Sequence, residues 1–512
     1  MATVVVQSAA LRGVEGVLVR VEVDVSEGFP RFVVVGLPDA QVREFRARVR
    51  SALENAGYEF PAARVTVNLA PADLRKSAGA LDLAVALGIL AAAGAFDPAQ
   101  LDGVAALGEL ALSGGVRDAR AALPLVECLA AAGARVVLLG PGAAREAGFV
   151  GDRIAVVPVA SLAEAVAHLR GELAVEPVVR DAGAVLAGLR ASAPGGDLLL
   201  EDVRGQEDAK LAMVLAAAGG HSVLLVGPPG SGKTMLAARL PGLFPPLTAA
   251  EALEVTRVHS LVSGPDARPE GLVTRRPFRA PHHTISYAGL IGGGSPPRPG
   301  EASLAHGGVL FLDELPEFSP PALEALLQWE AGRVHLAHAT GSVVYPAAFQ
   351  LVAAMNSCPC GRSGEASGCP CRCDAPAVAR YRARVSGVLL SKFDLRVRVR
   401  DVPYDALVST HPAPAWTTGE ARAAVARARA AQARRGCANA ALAGRTLEVY
   451  APVDREASFL FQREAQGRGL DLGSRDVVRV RRVARTLADL AGRDVLGVQD
   501  VARAFDFCAA AV

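Results

Sequence analysis

Val223-Leu224-Leu225-Val226 runs directly into Gly227-Pro228-Pro229-Gly230-Ser231-Gly232-Lys233-Thr234, and this stretch decides how the middle of the chain folds. A short apolar run bounded by glycine and proline reads as a buried strand. The residues after it, Met235–Leu240, return to helical patterning. Gly-x-x-x-x-Gly-Lys-Ser/Thr between a strand and a helix is the setting in which successive backbone N–H groups turn inward around phosphate oxygens. The helix that follows points its positive end at the same anion. Lys233 would reach the β- and γ-phosphates, and the Thr234 hydroxyl would ligate Mg²⁺. Only four of the 54 basic side chains are lysines (Lys76, Lys210, Lys233, Lys392), so a lysine at this point is not compositional background. The expected ligands are a nucleoside triphosphate and Mg²⁺.

About 80 residues on, Gly308-Val-Leu-Phe-Leu-Asp-Glu314 reads as a second apolar strand ending in two acids. Downstream of a phosphate-binding turn, Asp313 is placed to hold the Mg²⁺ shell and Glu314 to polarise the attacking water. A third run, Phe349–Met355, ends at Asn356, which could position that water; a strand-end Asn capping a turn is the alternative. Five of the eight cysteines follow at once: Cys358, Cys360, Cys369, Cys371 and Cys373. A disulfide framework would spread its cysteines along a small secreted chain, whereas clustering in a large one points to metal. Four thiolates suit tetrahedral structural zinc. The expected set is Cys358, Cys360, Cys369 and either Cys371 or Cys373, with reduced metal-free thiols as the alternative.

The rest of the chain frames this site. Its 512 residues suggest about three domains. With 51% hydrophobic residues, 21% charged residues and a net charge of +2, global disorder and a uniformly basic nucleic-acid coat are both excluded. Residues 1–172 alternate β-rich runs (Val17–Val25, Phe32–Val35, Arg64–Leu69, Val136–Leu139) with Ala/Leu helical runs (Arg43–Ala56, Ala80–Ala93, Ala121–Ala132), an α/β pattern. Residues 173–200 read as a linker broken by Ala193-Pro194-Gly195-Gly196. Residues 201–404 form the expected nucleotide domain, with a cysteine-rich insert over 357–374, and 405–512 read as helical. The start of the chain lacks a basic segment followed by an apolar core, so no signal peptide is expected. The apolar stretch from Leu83 to Phe96 is too short to span a bilayer and reads as a buried helix, and the location expected is cytoplasmic. Arginine-rich runs, six arginines over 257–300 and five over 421–440, are candidate phosphate-tracking surfaces or plain solvated faces.

Several longer motifs carry a family resemblance. Phe278-Arg-Ala-Pro-His-His-Thr-Ile-Ser286, Gly292-Gly-Gly294, Pro299-Gly-Glu301 and the stretch from Ser303 to Phe318 resemble the signature of the ComM/YifB family, AAA+ ATPases related to the ATPase subunit of magnesium chelatase. Asp202–Gln206 resembles the segment before the phosphate-binding turn in such proteins. Gly36-Leu-Pro-Asp39 and Val65–Lys76 are similar to the N-terminal domain of the family, and Arg482–Gly492 to its C-terminal helical domain. The resemblance implies an α/β chain of three parts: a Lon-protease-like N-terminal domain, a central AAA+ P-loop domain and a C-terminal helical lid.

The resemblance also implies a homo-hexameric ring acting on branched or single-stranded DNA, as a branch-migration helicase during natural transformation, with no membrane partner. Arg475, in a helix capped by Ser474, falls where the family places a nucleotide-sensing arginine. Lys392 stands where relatives carry the arginine that a neighbouring subunit supplies, and Arg382 or Arg384 could serve instead. The hairpin around Ala339–Ser342 falls where relatives line the pore. In the Lon-like domain, Ala80 falls in place of the serine and Arg135 in place of the lysine, so a non-proteolytic module is expected. Two other readings remain: a chelatase- or MoxR-like ATPase remodelling a protein complex, and an ATP-dependent peptidase using Ser77.

Overall fold

The computed structural model describes residues 3–72, 74, 76, 78–192, 198–262, 271–295, 297–329, 332–338, 341–363, 370–402, 416–467 and 475–508. The chain forms two compact units: Met1–Ala193 with Thr248–Thr274 and Ala337–Tyr345, and Pro194–Leu247 with Arg275–Leu336 and Pro346–Val512. Two stretches inside the span 201–404 thus group with the first unit.

The first unit is built on a seven-stranded mixed sheet in the order β3-β4-β2-β1-β5-β8-β9. Its strands are β1 (Val4–Arg12), β2 (Glu15–Ser26), β3 (Arg31–Val35), β4 (Arg64–Ala70), β5 (Val104–Leu107), β8 (Val136–Leu139) and β9 (Ala155–Pro158); β6 (Glu109–Leu110) and β7 (Val116–Arg117) form a small separate ribbon. The helix expected over the long apolar stretch spans Asp82–Ala92 and is buried from Asp82 to Ala91. A helix apolar all round belongs in a core. Gly88 makes its close approach possible, because a Cβ there would lie 2.7 Å from Val23 Cγ2. The 173–200 stretch, expected as a linker, carries the helix Ala182–Ser192, opened by Asp181 accepting from the Gly183 N–H at 2.8 Å. That helix packs on Ala249–His259, whose Arg257 makes a forked pair with Glu127 at 2.8 and 2.7 Å.

Two residues expected to mark a lost protease dyad fall apart here. The Ala80 carbonyl accepts from Gly108 N, just past the carboxyl end of β5, whereas Arg135 N donates to the Gly103 carbonyl just before its amino end. A four-residue strand is about 13 Å long. Arg135 therefore does not stand opposite Ala80, which corrects the sequence reading of its place. Its guanidinium donates to Asp102 O at 2.8 Å. Lys76, the neighbour of Ser77, is buried with its ammonium donating to the carbonyls of Gly36, Pro71 and Leu74. Caged by carbonyl oxygens, it fastens the loop after β3 to the loop after β4. Ser77 lies outside the described residues.

The second unit holds a five-stranded all-parallel sheet in the order β11-β14-β17-β10-β18. The strands are β10 (Val223–Val226), β11 (Phe278–Arg279), β14 (Val309–Leu312), β17 (Gln350–Met355) and β18 (Leu395–Arg398). β10, β14 and β17 are buried throughout, as strands covered on both faces must be. Because all five run the same way, the ends of β10, β14 and β17 share one edge, and there the chain order reverses around β10, the place where such sheets bind ligands. Outside the two sheets, the described residues also form short ribbons, β12 (Gly292–Gly293) with β13 (Arg298–Pro299) and β15 (Arg333–His338) with β16 (Gly341–Pro346).

The helices Thr418–Arg435, Gly444–Tyr450, Arg455–Gly467, Arg475–Leu490 and Val498–Cys508 belong to this unit. The Arg482–Gly492 motif has a packing reason. Arg485 is buried, ion-paired with Asp489 at 2.9 Å, and donates to the carbonyls of Tyr450, Arg493 and Asp494. Asp489 also takes Arg435 and Asn439. The fold is α/β with a C-terminal helical part. Among the described residues, no helix is long and apolar enough to cross a membrane.

Candidate nucleotide-binding site

The phosphate-binding turn leaves the end of β10 through Gly227, whose N–H donates to Met355 O of β17 at 3.2 Å. The helix Lys233–Leu243 starts at Gly232, which has φ +91°. Positive φ disfavours a side chain there, and it turns the loop back onto the helix axis. Lys233 is buried, and its ammonium donates to Gly227 O at 2.9 Å, Pro228 O at 2.7 Å and Asn356 Oδ1 at 3.3 Å. The cation of the turn and the amide at the tip of the adjacent strand are thus in direct contact.

Thr234 Oγ1 donates to Asp313 Oδ2 at 2.7 Å, and the other oxygen of Asp313 accepts from the Glu314 N–H at 2.9 Å. The two side chains expected at Mg²⁺ converge, a hydroxyl and a carboxylate of the hard-oxygen type that the ion prefers. Ser231 Oγ is buried and has no hydrogen-bond partner among the described residues. Such an orphaned hydroxyl at the cradle suits a phosphate oxygen. The residues present therefore fit a nucleoside triphosphate with Mg²⁺.

Four contacts at this edge were not legible in the motifs. Glu314 has φ +54°, a left-handed conformation, and its carboxylate meets His283 Nδ1 at 3.3 Å. His283 in turn stacks against His282 with ring centres 4.1 Å apart. Gln206, also left-handed, donates to Ser231 O at 3.3 Å and ties the segment before β10 to the turn. Gly361 lies against Pro229, so that a Cβ on it would sit 2.3 Å from the Pro229 ring.

Cys358, Cys360, Cys371 and Cys373 bring their sulfurs within 4.8 Å of one another. Sulfur pairs stand at 3.4 Å (358–360), 3.7 Å (358–371) and 3.6 Å (360–371). A tetrahedral zinc with bonds of about 2.3 Å spaces its sulfurs at about 3.8 Å, so the donor set fits. The structure gathers both Cys371 and Cys373, where the sequence reading took one of them together with Cys369; Cys369 lies outside the described residues. Backbone N–H groups of Arg372 and Arg362, with the Cys358 thiol, pull the Cys360 thiol down to about 6. Against the backbone bond from Cys360, the Cys360 and Cys358 sulfurs push Cys373 up to about 12. Crowded thiols cannot all ionise without a cation among them. His282 and His283 are not part of the cluster.

Comparison with known proteins follows this geometry. Residues 199–407 match the family described as magnesium chelatase, subunit ChlI, residues 21–142 match subunit ChlI of Mg-chelatase, and 415–507 match the ChlI C-terminal family. The chain is 40% identical over 496 residues to the competence protein ComM of Haemophilus influenzae, covering 96% of this chain and 94% of that one. It is 38% identical to YifB of Salmonella typhimurium over 499 residues, with the same coverage, and 42% identical over 508 residues to an uncharacterized protein of Mycobacterium tuberculosis, covering 98% and 97%. The chain belongs to the ComM/YifB family.

The remaining residues singled out from this ComM/YifB sequence are placed as follows. Arg475 is the exposed first residue of the helix Arg475–Leu490, which docks on the sheet domain through Arg479 donating to Phe393 O at 3.4 Å. Ser474 lies outside the described residues. Lys392 is half-buried, donates to Trp329 O at 3.2 Å and lies 5.7 Å from the centre of its ring. Arg382 donates to Ser357 O at 3.3 Å, and Arg384 pairs with Glu317 at 2.9 Å. All three finger candidates have partners inside the chain. The arginine-rich runs are partly structural. Arg422 and Arg429 donate to the carbonyls of Gly242 and Ala217, Arg435 pairs with Asp489, Arg276 donates to Pro245 O and Gly307 O, and Arg279 forks onto Glu301. Arg275, Arg298, Arg427 and Arg434 stay exposed, as do Arg333 and His335 on β15.

Proposed function

We propose that this ComM/YifB protein is a cytoplasmic, ring-forming ATPase that uses ATP hydrolysis to move branched or single-stranded DNA, as in branch migration of incoming strands during natural transformation. The observation that carries the reading is the convergence of Lys233, Thr234, Asp313 and Glu314 on one sheet edge, with the Thr234–Asp313 contact at 2.7 Å. The near-full-length likeness to a competence protein supports the setting.

ATP with Mg²⁺ supplies the transferable phosphoryl group and the divalent charge that screens it. Lys233 would exchange the Gly227 and Pro228 carbonyls for phosphate oxygens while keeping Asn356. Thr234 and Asp313 would hold the metal shell. Glu314 orients the attacking water, and it must leave His283 to do so. Asn356 contacts Lys233 and steadies the same water. Arg475 reads the nucleotide from the helical part, and a cation of the neighbouring subunit, Lys392, Arg382 or Arg384, completes the site. Zinc held by four of the five cysteines would brace the loop beside Asn356. DNA contacts fall to Arg298, Arg333 and His335, which are exposed on short ribbons.

The test is ATP turnover with and without forked, single-stranded and four-way DNA. DNA should stimulate turnover, and Lys233→Ala or Glu314→Gln should abolish it. Turnover indifferent to every DNA, with a stable protein partner, would replace this reading with a protein-remodelling ATPase.

A further inference from the structure

The cysteine cluster and the phosphate-binding turn touch. Gly361, with φ +78°, sits so close to Pro229 that a Cβ on it would lie 2.3 Å from the ring Cδ and 2.9 Å from Cγ. The turn bearing Gly361 is folded on the first ligand candidate. Its N–H donates to Cys358 O at 2.9 Å, and Ser363 N–H donates to Cys358 Sγ at 3.3 Å. Two residues before Cys358 stands Asn356, in contact with Lys233. After Cys373, Asp374 caps the helix Ala375–Ala383 by accepting from Ala377 N–H at 2.8 Å, and that helix sends Arg382 back to Ser357 O.

We propose that the four-cysteine cluster, by holding a zinc-type cation, clamps the phosphate-binding turn. This deepens the ATP reading and rests on it for the consequence that nucleotide affinity depends on the metal. Four thiolates within 4.8 Å repel unless a cation sits among them. The cation ties Cys358 and Cys360 to Cys371 and Cys373, and so presses Gly361 against Pro229 and holds Asn356 at Lys233. Without the cation Cys358 and Cys360 part from Cys371 and Cys373, Pro229 loses its stop, and the turn samples conformations that do not cradle phosphate. The cost appears as weaker nucleotide binding, since a site that must first be ordered binds less well.

The experiment compares the full chain loaded with zinc and the same chain stripped by chelator under reducing conditions. Metal content should be one zinc per chain. Without nucleotide, amide exchange over 227–234 should quicken at least tenfold on stripping while exchange over 309–312 stays as it was. A fluorescent ATP analogue should bind at least tenfold more weakly to the stripped chain and recover when zinc is restored. Gly361→Ala should keep its zinc yet bind the analogue about tenfold more weakly, because the new methyl displaces Pro229.

Unchanged exchange over 227–234 on metal loss overturns the clamp, as does a purified chain with no tightly held zinc. Equal quickening across the whole sheet also overturns it, since the metal would then hold the fold and not the turn. If exchange over 227–234 responds but the zinc-loaded chain binds no analogue, the clamp stands and the ATP reading falls.

Discussion

Gly227→Ala is the sharpest steric test of the phosphate-binding turn. A Cβ at Gly227 would lie 2.1 Å from the backbone oxygen of Val399 and 3.0 Å from its carbonyl carbon. Neither atom can swing aside, because Val399 N–H donates to Val226 O at 2.9 Å and the residue continues from β18. An ordinary contact needs about 3.4 Å, so the start of the turn must move by about 1.3 Å. A misplacement of about 1 Å at a reacting centre costs about a hundredfold in rate. Gly227→Ala should therefore lower kcat for ATP about a hundredfold and weaken nucleotide binding, with circular dichroism unchanged. Gly230 offers the contrast. A Cβ there meets nothing within 4 Å, and only its φ of +79° resists substitution. A left-handed alanine costs about 1–2 kcal/mol, so Gly230→Ala should stay milder than Gly227→Ala at the level of turnover. Steady-state turnover of both variants decides the matter. A Gly227→Ala chain that keeps a third of normal activity, or one less impaired than Gly230→Ala, refutes the steric reasoning.

Other outcomes follow from single contacts. His283→Ala should release Glu314 and raise DNA-free turnover by up to about fivefold, the scale of one exposed polar contact, with nucleotide affinity unchanged; a fall in turnover would assign His283 a direct part in hydrolysis. Arg298→Ala with Arg333→Ala should weaken DNA binding and flatten its salt dependence, leaving DNA-free turnover intact, and an unchanged slope of log Kd against log salt would remove both from the DNA path. Asp82 predicts a pH effect in the N-terminal domain. Its carboxylate is buried beneath Arg48 (Nη2 to Oδ1 at 3.1 Å), and burial, partly offset by that arginine, pushes it up to about 7. Between about pH 4 and 7 the folded domain keeps a proton that the unfolded chain has released. Stability therefore falls as pH rises through that window, by up to about 4 kcal/mol. Amide exchange of the helix Asp82–Ala92 should quicken from pH 5 to 7 beyond its intrinsic rate. Asp82→Asn should remove that dependence, and a stability that rises with pH in the normal chain would reverse the sign.

The turn from Gly227 to Thr234 and the Asp313-Glu314 pair were legible because their chemistry is written in contiguous residues. The same holds for the buried strands β10, β14 and β17, whose short apolar runs end at the functional edge. What escaped depends on partners far apart in the chain. His283 meets Glu314, and Gly361 meets Pro229, only because the parallel sheet brings distant loops to one edge. The arginine runs misled for a related reason. Arg422 and Arg429 look like a basic surface, yet they donate to carbonyls near the ends of the helices Lys233–Leu243 and Glu207–Gly219, where cations are favoured by the helix dipole. No local pattern shows which helix end a long side chain will reach. The cysteine set was half legible for the same reason: spacing flagged a metal-type cluster, but only the fold gathers Cys371 and Cys373 with Cys358 and Cys360. Arg135 shows the limit of placement by resemblance, since one short strand separates it from Ala80.

The most direct measurement is equilibrium titration of the zinc-loaded chain with a non-hydrolysable fluorescent ATP analogue, with and without Mg²⁺, beside Lys233→Ala. Saturable binding that tightens with Mg²⁺ and is lost in the variant is the result expected. Binding unaffected by Lys233→Ala, or no saturable binding, would contradict a triphosphate held between Lys233, Thr234 and Asp313.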